Sequence, residues 1–364
     1  RRAMAAWKRH EDVIQKFKAR IIEGMLAHGY SRQFAETCMH QIRGFSEYGF
    51  PESHAASFAL LVLASAWIKK HYPAEFCASL LNSQPMGFYA PAQIIQDAKN
   101  HGVVVESVDI NKSDWETTIE DSGSVRIGMH LIKGIEQRQG ELIALIVKTI
   151  GFLPTIQDLW SAAYETPSFI PLRRETLVKL AQADAFQSMG LSRREALWGI
   201  RGLTTHPIPL KELDDPTGRS QLPILSFGQQ VSLDYESVGF SAKAHPISLI
   251  RTILKKNFNA RSWQSVAEDN SLRHGATFTV AGLVISRQRP DTAKGIVFLS
   301  LEDETGITNI IISRELFEQN ARAIMHEPAL VVRGALRRIG PVIYCVAASV
   351  TGIGQLLDEV MSLE

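Results

Sequence analysis

The run from Gly44 to Gln84 constrains the fold more than any other part of this 364-residue chain. A Gly-Phe-Pro sequence at residues 49–51 predicts a break between helices, because proline fixes its own backbone and restricts the residue before it. Ser53 follows as the expected N-cap of the next helix. From Ala55 to Ile68 the sequence is almost wholly apolar, so we expect a helix that is buried on all sides and ends before Pro73.

Two stretches in and around this run carry a family resemblance. They are YGFPESHAASFA at residues 48–59 and HYPAEFCASLLNSQPMGFY at residues 71–89. Both closely resemble the fingers region of bacterial C-family DNA polymerases, the alpha subunits of DNA polymerase III. The PES and NSQPMGFY sequences resemble the error-prone branch of that family, and weaker resemblance continues to the C-terminus.

The resemblance implies that this chain is the C-terminal portion of a longer DNA-directed DNA polymerase that acts in DNA repair and translesion synthesis. In that family the metal-binding aspartates of the palm lie upstream of the matching segment. We therefore expect no catalytic or metal-binding residue in this chain, and no polymerase activity from it alone. For the full-length enzyme the resemblance implies magnesium, primer-template DNA, deoxynucleotide triphosphates, and a sliding clamp with accessory translesion proteins.

For the fingers, the resemblance implies contact with the incoming nucleotide triphosphate. Arg43, Ser53 and His54 are the candidates, because an arginine and a histidine can donate to phosphate oxygens. The structural alternative is that Ser53 caps the apolar helix and His54 packs beneath it.

Length and composition indicate several ordinary globular domains. The chain exceeds the usual size of one core, and its 45% hydrophobic and 21% charged residues exclude disorder. The net charge of +1 is an average that hides local basic clusters. Cys38, Cys77 and Cys345 are far apart, which predicts neither a zinc site nor a disulfide framework and fits a reducing cytoplasm. The apolar run is shorter than the roughly 18 to 20 residues that span a bilayer, so no membrane partner is expected.

The predicted fold class is multidomain, with mostly α fingers and a tandem helix-hairpin-helix region followed by a β OB-fold barrel. The expected domains are the fingers at 1–105, the tandem helix-hairpin-helix domain at 106–205, a linker and pre-barrel segment at 206–262, and the OB-fold domain at 263–364.

The segment from Val125 to Val147 resembles the first helix-hairpin-helix element, with Gly134 between an apolar turn and a helix. Such hairpins present backbone N–H groups to a phosphate without reading bases. Lys133, Gly134 and Arg138 are the candidate DNA contacts. Glu136 departs from the motif, because a second glycine normally stands there and lets the backbone approach the phosphate. The alternative is a plain helical hairpin with surface charges.

A second segment, Leu177 to Ile200, has the same plan around Gly190. Arg193 and Arg194 open its second helix and are candidate DNA contacts. The alternative is that Ser192 simply caps a packed helix in which Leu197 and Trp198 belong to the core.

From His206 to about Leu233 the sequence is rich in Pro, Asp, Gly, Ser and Gln, which predicts a linker. Within it, a Gln-Leu-Pro-Ile-Leu sequence resembles the pentapeptide that binds a sliding clamp. The candidate clamp-binding residues are Gln221, Leu222, Ile224 and Leu225. A linker that lies on its own domain is the alternative. Further on, His245 is expected as a turn residue before a helix that starts at proline.

The last section alternates apolar and polar residues in five runs, with one helical stretch between the third and fourth. This is the order of an OB-fold barrel, which binds single strands with basic grooves and aromatic platforms. The candidate DNA contacts are Arg287, Arg289, Lys294, Arg333, Arg337 and Arg338. Phe298 is expected in the core, and Glu302 to Glu304 as surface charge in a turn.

Two other functions stay open at this point. One is a non-catalytic nucleic-acid-binding or clamp-tethering adaptor built from helix-hairpin-helix and OB modules. The other is an OB-containing enzyme that binds tRNA. The fingers sequence from Gly44 to Tyr89 argues against both, because neither function requires it.

Overall fold

The computed structural model describes residues 11–48, 52–85, 89–166, 170–203, 222–290, 293, 295–340 and 342–362. The chain divides into two compact units, one that ends at Phe76 and one that begins at Cys77. Across these described ranges, no helix combines the length and the apolar character needed to cross a membrane.

The first unit consists of helices. They are α1 (Glu11–Ala27), α2 (Arg32–Tyr48) and α3 (Glu52–His71), and α4 (Pro73–Asn82) contains the boundary between the units. Ile22, Ala35 and Met39 form a small core between α1 and α2. The predicted helix break is confirmed, since α2 ends at Tyr48 and α3 begins at Glu52.

Two expectations about α3 are wrong. Its first residue is Glu52, so Ser53 lies within the first turn and not at the N-cap. Its apolar side chains are not buried on all sides either, because Leu60 is 72% exposed and Leu63 is 69% exposed. Local sequence was sufficient to predict the helix, whereas burial also depends on what packs against it.

The second unit opens with a helical domain that surrounds a small sheet. Its first elements are α5 (Pro91–Asn100) and the strands β1 (Val105–Glu106), β2 (Thr118–Ile119) and β3 (Val125–Arg126), which pair in the order β1-β3-β2. Helices α6 (Gln137–Ile150), α7 (Ile156–Glu165), α8 (Arg174–Gln182) and α9 (Arg193–Gly202) follow. The fully buried side chains of this domain include Ile127, Ile143, Leu159, Leu177 and Phe186.

Three more helices precede the barrel: α10 (Phe227–Ser237), α11 (Pro246–Phe258) and α12 (Trp263–Ala267). Helix α10 begins at a capping box in which Ser226 and Gln229 bond each other's backbone, and it lies partly in the segment expected to be a linker. His245 is the N-cap of α11 and Pro246 is its first residue, which confirms the predicted helix start.

The last section is a closed five-stranded barrel, as predicted. Its strands are β4 (Thr277–Gln288), β5 (Val297–Asp303), β6 (Gly306–Ile312), β7 (Ala329–Ile339) and β8 (Val342–Gly352), closed in the order β4-β5-β6-β8-β7. Helix α13 (Arg314–His326) lies between β6 and β7, and α14 (Gly354–Ser362) follows β8. Alternate residues such as Leu299, Ile310, Leu336 and Cys345 fill the interior.

Candidate nucleic-acid interface

Of the three candidate nucleotide-binding residues, the structure describes the side chain of His54. The side chains of Arg43 and Ser53 lie outside the described part of the structure. His54 is exposed, and its ring centroid lies 4.4 Å from that of Phe58 one turn later on α3. It therefore does not pack beneath the helix, and its contact with a nucleotide stays a prediction.

The first hairpin has the tight turn that its glycine predicts. Gly134 has φ +79°, and a Cβ at this position would lie 2.8 Å from Nζ of Lys179. That ammonium, on α8, donates a hydrogen bond to the carbonyl of Gly134. Sequence reasoning missed this lysine, because it is 45 positions away from the hairpin.

Lys133 contacts protein carbonyls in this hairpin. Its ammonium donates to the carbonyls of Tyr235 and Glu236, at 2.9 Å each, and its backbone N–H donates to Ser237 at 2.9 Å. These carbonyls end α10, where the helix dipole favours a cation. In this structure Lys133 therefore ties the hairpin to α10, and its contact with a phosphate stays a prediction.

Glu136, the departure from the motif, occupies the N-cap position of α6. Its carboxylate pairs with Arg173 at 2.5 Å, so the negative charge is compensated locally. Arg138 is exposed on the same helix. Arg138 is thus exposed at this hairpin, whereas Arg173 and Lys179, which could not be found from the motif, are engaged by Glu136 and by the carbonyl of Gly134.

The second hairpin also has the predicted geometry. Gly190 is left-handed at φ +71°, and Ser192 forms a capping box with Glu195 at the start of α9. Trp198 is 52% exposed, so it is not the core residue of the alternative interpretation. Arg193 is only 3% exposed and pairs with Asp234 of α10, which removes it from the residues that can reach a phosphate.

Arg194 links this hairpin to the candidate clamp-binding segment. Its Nη1 donates to the carbonyl of Pro223 at 2.6 Å. Leu222 and Leu225 are half-buried beside α9, whereas Ile224 is 92% exposed. Gln221 lies outside the described residues. This is the geometry of a linker on its own domain, with one apolar side chain left exposed.

The outer face of the barrel carries a row of polar and aromatic residues that crosses four strands. Ser300, Asn309, Tyr344 and Arg337 are consecutive partners on β5, β6, β8 and β7. Phe298 lies two residues before Ser300 on the same face and is 37% exposed, so it is not the core residue expected. Tyr344 was missed by sequence reasoning, although its position between inward-facing neighbours in β8 could have revealed it.

The predicted cations of the first barrel strand differ in their surroundings. Arg287 donates through Nε to the carbonyl of Ile324 at 2.8 Å and through Nη2 to that of Glu327. It therefore caps the end of α13 and is not free for a phosphate. Arg289 is exposed, with its guanidinium carbon 4.6 Å from the ring centroid of Phe317.

The three arginines of β7 lie on two different faces of the strand, because side chains alternate along it. Arg333 and Arg337 lie on the outer face, and Arg337 contacts His274 at 2.7 Å. Arg338 has the opposite parity, and its Nε and Nη2 are buried without an acceptor among the described residues. It is therefore not an outer-face contact. Lys294 lies outside the described residues.

The acidic run at the β5–β6 turn is not surface charge, contrary to expectation. Glu302 and Asp303 are buried, and Arg251 of α11 pairs with Asp303 at 3.0 Å and with Glu304 at 2.7 Å. Burial raises the pKa of Glu302, and the charge of Asp303 adds to that rise. Asp303 and Glu304 are thus structural ties between α11 and the barrel.

Two family models match the chain. A helix-hairpin-helix motif matches residues 102–196, and an OB-fold nucleic acid binding domain matches residues 278–342. Among solved structures, asparaginyl-tRNA synthetase from Pyrococcus horikoshii complexed with asparaginyl-adenylate is 19% identical over 26% of this chain and 22% of its own. Its TM-score of 0.22 is too low to support a conclusion.

Curated relatives match nearly the whole chain. Error-prone DNA polymerase 1 of Rhizobium meliloti (strain 1021) is 42% identical over 98% of this chain and 34% of its own length. The error-prone DNA polymerase of Caulobacter vibrioides (strain ATCC 19089 / CIP 103742 / CB 15) is 40% identical over 99% of this chain and 34% of its own. The chain thus spans about a third of the length of these relatives. Along almost all of its residues, it is a homologue of error-prone DNA polymerases that contains a helix-hairpin-helix motif and an OB-fold.

Proposed function

We propose that this chain is the C-terminal, DNA-binding portion of an error-prone DNA-directed DNA polymerase that acts in repair and translesion synthesis in the cytoplasm. The observation that carries the proposal is identity of about 40% to error-prone DNA polymerases over 98% of the chain. The two nucleic-acid-binding modules support the DNA-binding role of this portion. Binding of a duplex or of a single strand requires no catalytic group, so this portion can bind DNA without the catalytic part of the enzyme. An adaptor built from these modules alone would not need α3 and its flanking fingers sequence.

Nucleotidyl transfer is proposed for the longer protein and not for this portion. Polymerases hold magnesium with paired carboxylates. In the described part of the chain, no group of three or more His, Cys, Asp or Glu side chains is arranged to hold a metal ion. Asp303 and Glu304 are paired with Arg251, so they do not fit that role. Magnesium and the deoxynucleotide triphosphate therefore belong to the proposal for the whole enzyme.

The hairpin surface is proposed to hold the duplex. Arg138, which is exposed, would contact its phosphates from the first hairpin, and Arg194 is the candidate in the second hairpin. Such contacts fix the position of a duplex without reading its sequence. The exposed Ile224, on a segment held by Arg194, supports contact with a sliding clamp through residues 222–225.

The outer face of the barrel is proposed to hold a single strand. Phe298 and Tyr344 supply rings on which bases can stack, and Arg333 and Arg337 supply charge for the phosphates between them. This arrangement is typical of sequence-tolerant single-strand binding.

The test is single-strand affinity of barrel variants. Phe298→Ala combined with Tyr344→Ala removes two stacking surfaces, each worth about 1–3 kcal/mol per base. We expect oligothymidine affinity to fall at least tenfold, measured by fluorescence anisotropy. The control is Phe152→Ala, an exposed aromatic in the helical domain, which should change nothing. Equal affinity of the double variant and wild type would contradict the proposal for the barrel.

A further inference from the structure

Helix α10 is tied to the second hairpin by a cluster of four charges, of which Arg193 and Asp234 are buried and Asp184 and Lys243 are half-buried. Arg193 donates through Nε to the carbonyl of Gln182 at 3.0 Å and through Nη1 to that of Gln230 at 3.1 Å. Its Nη2 pairs with Asp234 of α10. The two remaining members, Asp184 and Lys243, pair with each other at 2.8 Å.

The cluster is electrically balanced, with two cations and two carboxylates in mutual contact. Burial alone raises the pKa of Asp184, but the hydrogen bond from Lys243 and the charge of Arg193 hold it below its ordinary value. Removing one member of a buried pair is costly, because the partner charge stays buried and unpaired. The position of α10 against α9 is thus strongly specified.

The first hairpin is tied to the C-terminal end of the same helix, directly after Asp234. Lys133 reaches the carbonyls of Tyr235 and Glu236, and its own N–H reaches that of Ser237, as described above. Both hairpins therefore contact α10. The second hairpin does so through the ion pair of Arg193 with Asp234, and the first through the hydrogen bonds of Lys133 to the carbonyls that end the helix.

The barrel holds α10 through its terminal helix. A Cβ at Gly228 would lie 2.8 Å from the carbonyl oxygen of Val360 in α14, so the two backbones are in close contact. Helix α11 extends the same layer, since Ile247, Ile250 and Leu254 pack with residues of β4, β7 and α14. Its Arg251 adds the ion pairs to Asp303 and Glu304 of the β5–β6 turn.

We infer that α10 fixes the two hairpins relative to the barrel, so that duplex and single strand are held at a set spacing and the affinity for a duplex with an overhang depends on the length of that overhang. The inference rests on the proposed function. Two linked sites gain affinity for a ligand that spans both, and the gain is largest when the ligand matches the fixed distance. With a flexible linker, the gain would vary only weakly with overhang length.

The experiment compares anisotropy titrations of a duplex, a single strand, and duplexes with 5′ overhangs of increasing length. Wild type should bind one overhang length at least tenfold more tightly than it binds either the duplex or the single strand. Asp234→Asn and, separately, Lys133→Met break one tie each. Both variants should keep the separate affinities within about twofold and lose most of the overhang gain.

Asp121→Asn is the matched control, because it removes the same charge from an exposed position in the turn between β2 and β3 and should behave as wild type. If Asp234→Asn fails to fold, the exposed Lys133→Met decides the question. The inference is overturned if wild type shows no overhang gain, or if the folded tie variants keep it, while duplex and single strand still bind. Loss of duplex binding in Lys133→Met would instead make that lysine a DNA contact. Absence of binding to every ligand would overturn the proposed function itself.

Discussion

A cation beside a helix-hairpin-helix turn has two competing kinds of acceptor, a phosphate of the ligand and a carbonyl of the protein. Lys133, Lys179 and Arg193 are all engaged by protein carbonyls or carboxylates. Sequence shows the residue type and the motif, but it does not show which carbonyls the fold brings near. This is why Arg138, still exposed, remains a DNA candidate while its motif neighbour Lys133 is a tie between elements.

The left-handed turn at Gly134 gives a prediction for a single residue. In Gly134→Ala the side chain would be strained at φ +79° and would displace Lys179, so we expect a loss of about 1–2 kcal/mol of unfolding free energy. The matched control is Gly199→Ala in the exposed interior of α9, where the added methyl meets only Ile156 at 3.7 Å. That variant should gain up to about 1 kcal/mol. Urea denaturation measures both, and equal effects would contradict the assigned turn.

His245 gives a prediction for pH. Burial lowers its pKa from 6.5 to about 4, against the charges of Glu304 and Asp303, which favour protonation, while Arg251 opposes it. The unfolded chain therefore takes up a proton between pH 6.5 and 4 that the folded chain does not. The stability from the neutral ring is present above pH 6.5 and is lost as pH falls through this window.

The measurement is urea denaturation of wild type and His245→Asn at pH 7 and pH 5. Asparagine can still cap α11 but has no proton to gain. Wild type should lose on the order of 1–2 kcal/mol more than the variant between these pH values. An identical loss in the two proteins would show that His245 is not buried in the neutral form.

At the level of elements, the barrel was the most predictable part of the chain. Its strands alternate so regularly that the five runs and the intervening helix follow from the sequence. Helix α10 was missed, because its only fully buried apolar residue is Val231 and its other buried position is Asp234. A polar residue buried by an ion pair leaves no periodic signal. The exposure of α3 could not be predicted either, because the sequence of an apolar helix does not show which element packs against it.

The register of β5 can be tested with two adjacent substitutions. Leu299 is 2% exposed inside the barrel, so Leu299→Ala should cost about 2–5 kcal/mol of unfolding free energy. Ser300 faces outward and bonds Asn309 at 3.1 Å, so Ser300→Ala should cost less than about 1 kcal/mol. Because a slip of one residue exchanges the two faces, the reverse order of costs in thermal or urea unfolding would refute the register.

At the level of the whole molecule, the net charge of +1 does not show that the cations have two different roles. Some hold elements together, as Arg251 does for α11 and the barrel, and others remain exposed around the hairpins and on the outer face of the barrel. The distribution matters more than the sum, because only the exposed group can release counterions from DNA.

The salt dependence of duplex affinity tests this central claim most directly. For wild type, the logarithm of the association constant should fall linearly with the logarithm of salt concentration, with a slope of about −0.9 for each phosphate contact. Arg138→Gln should make that slope shallower by about one unit, whereas the exposed control Arg322→Gln on α13 should leave it unchanged. A duplex affinity that does not respond to salt, or the same slope in Arg138→Gln and wild type, would contradict the account.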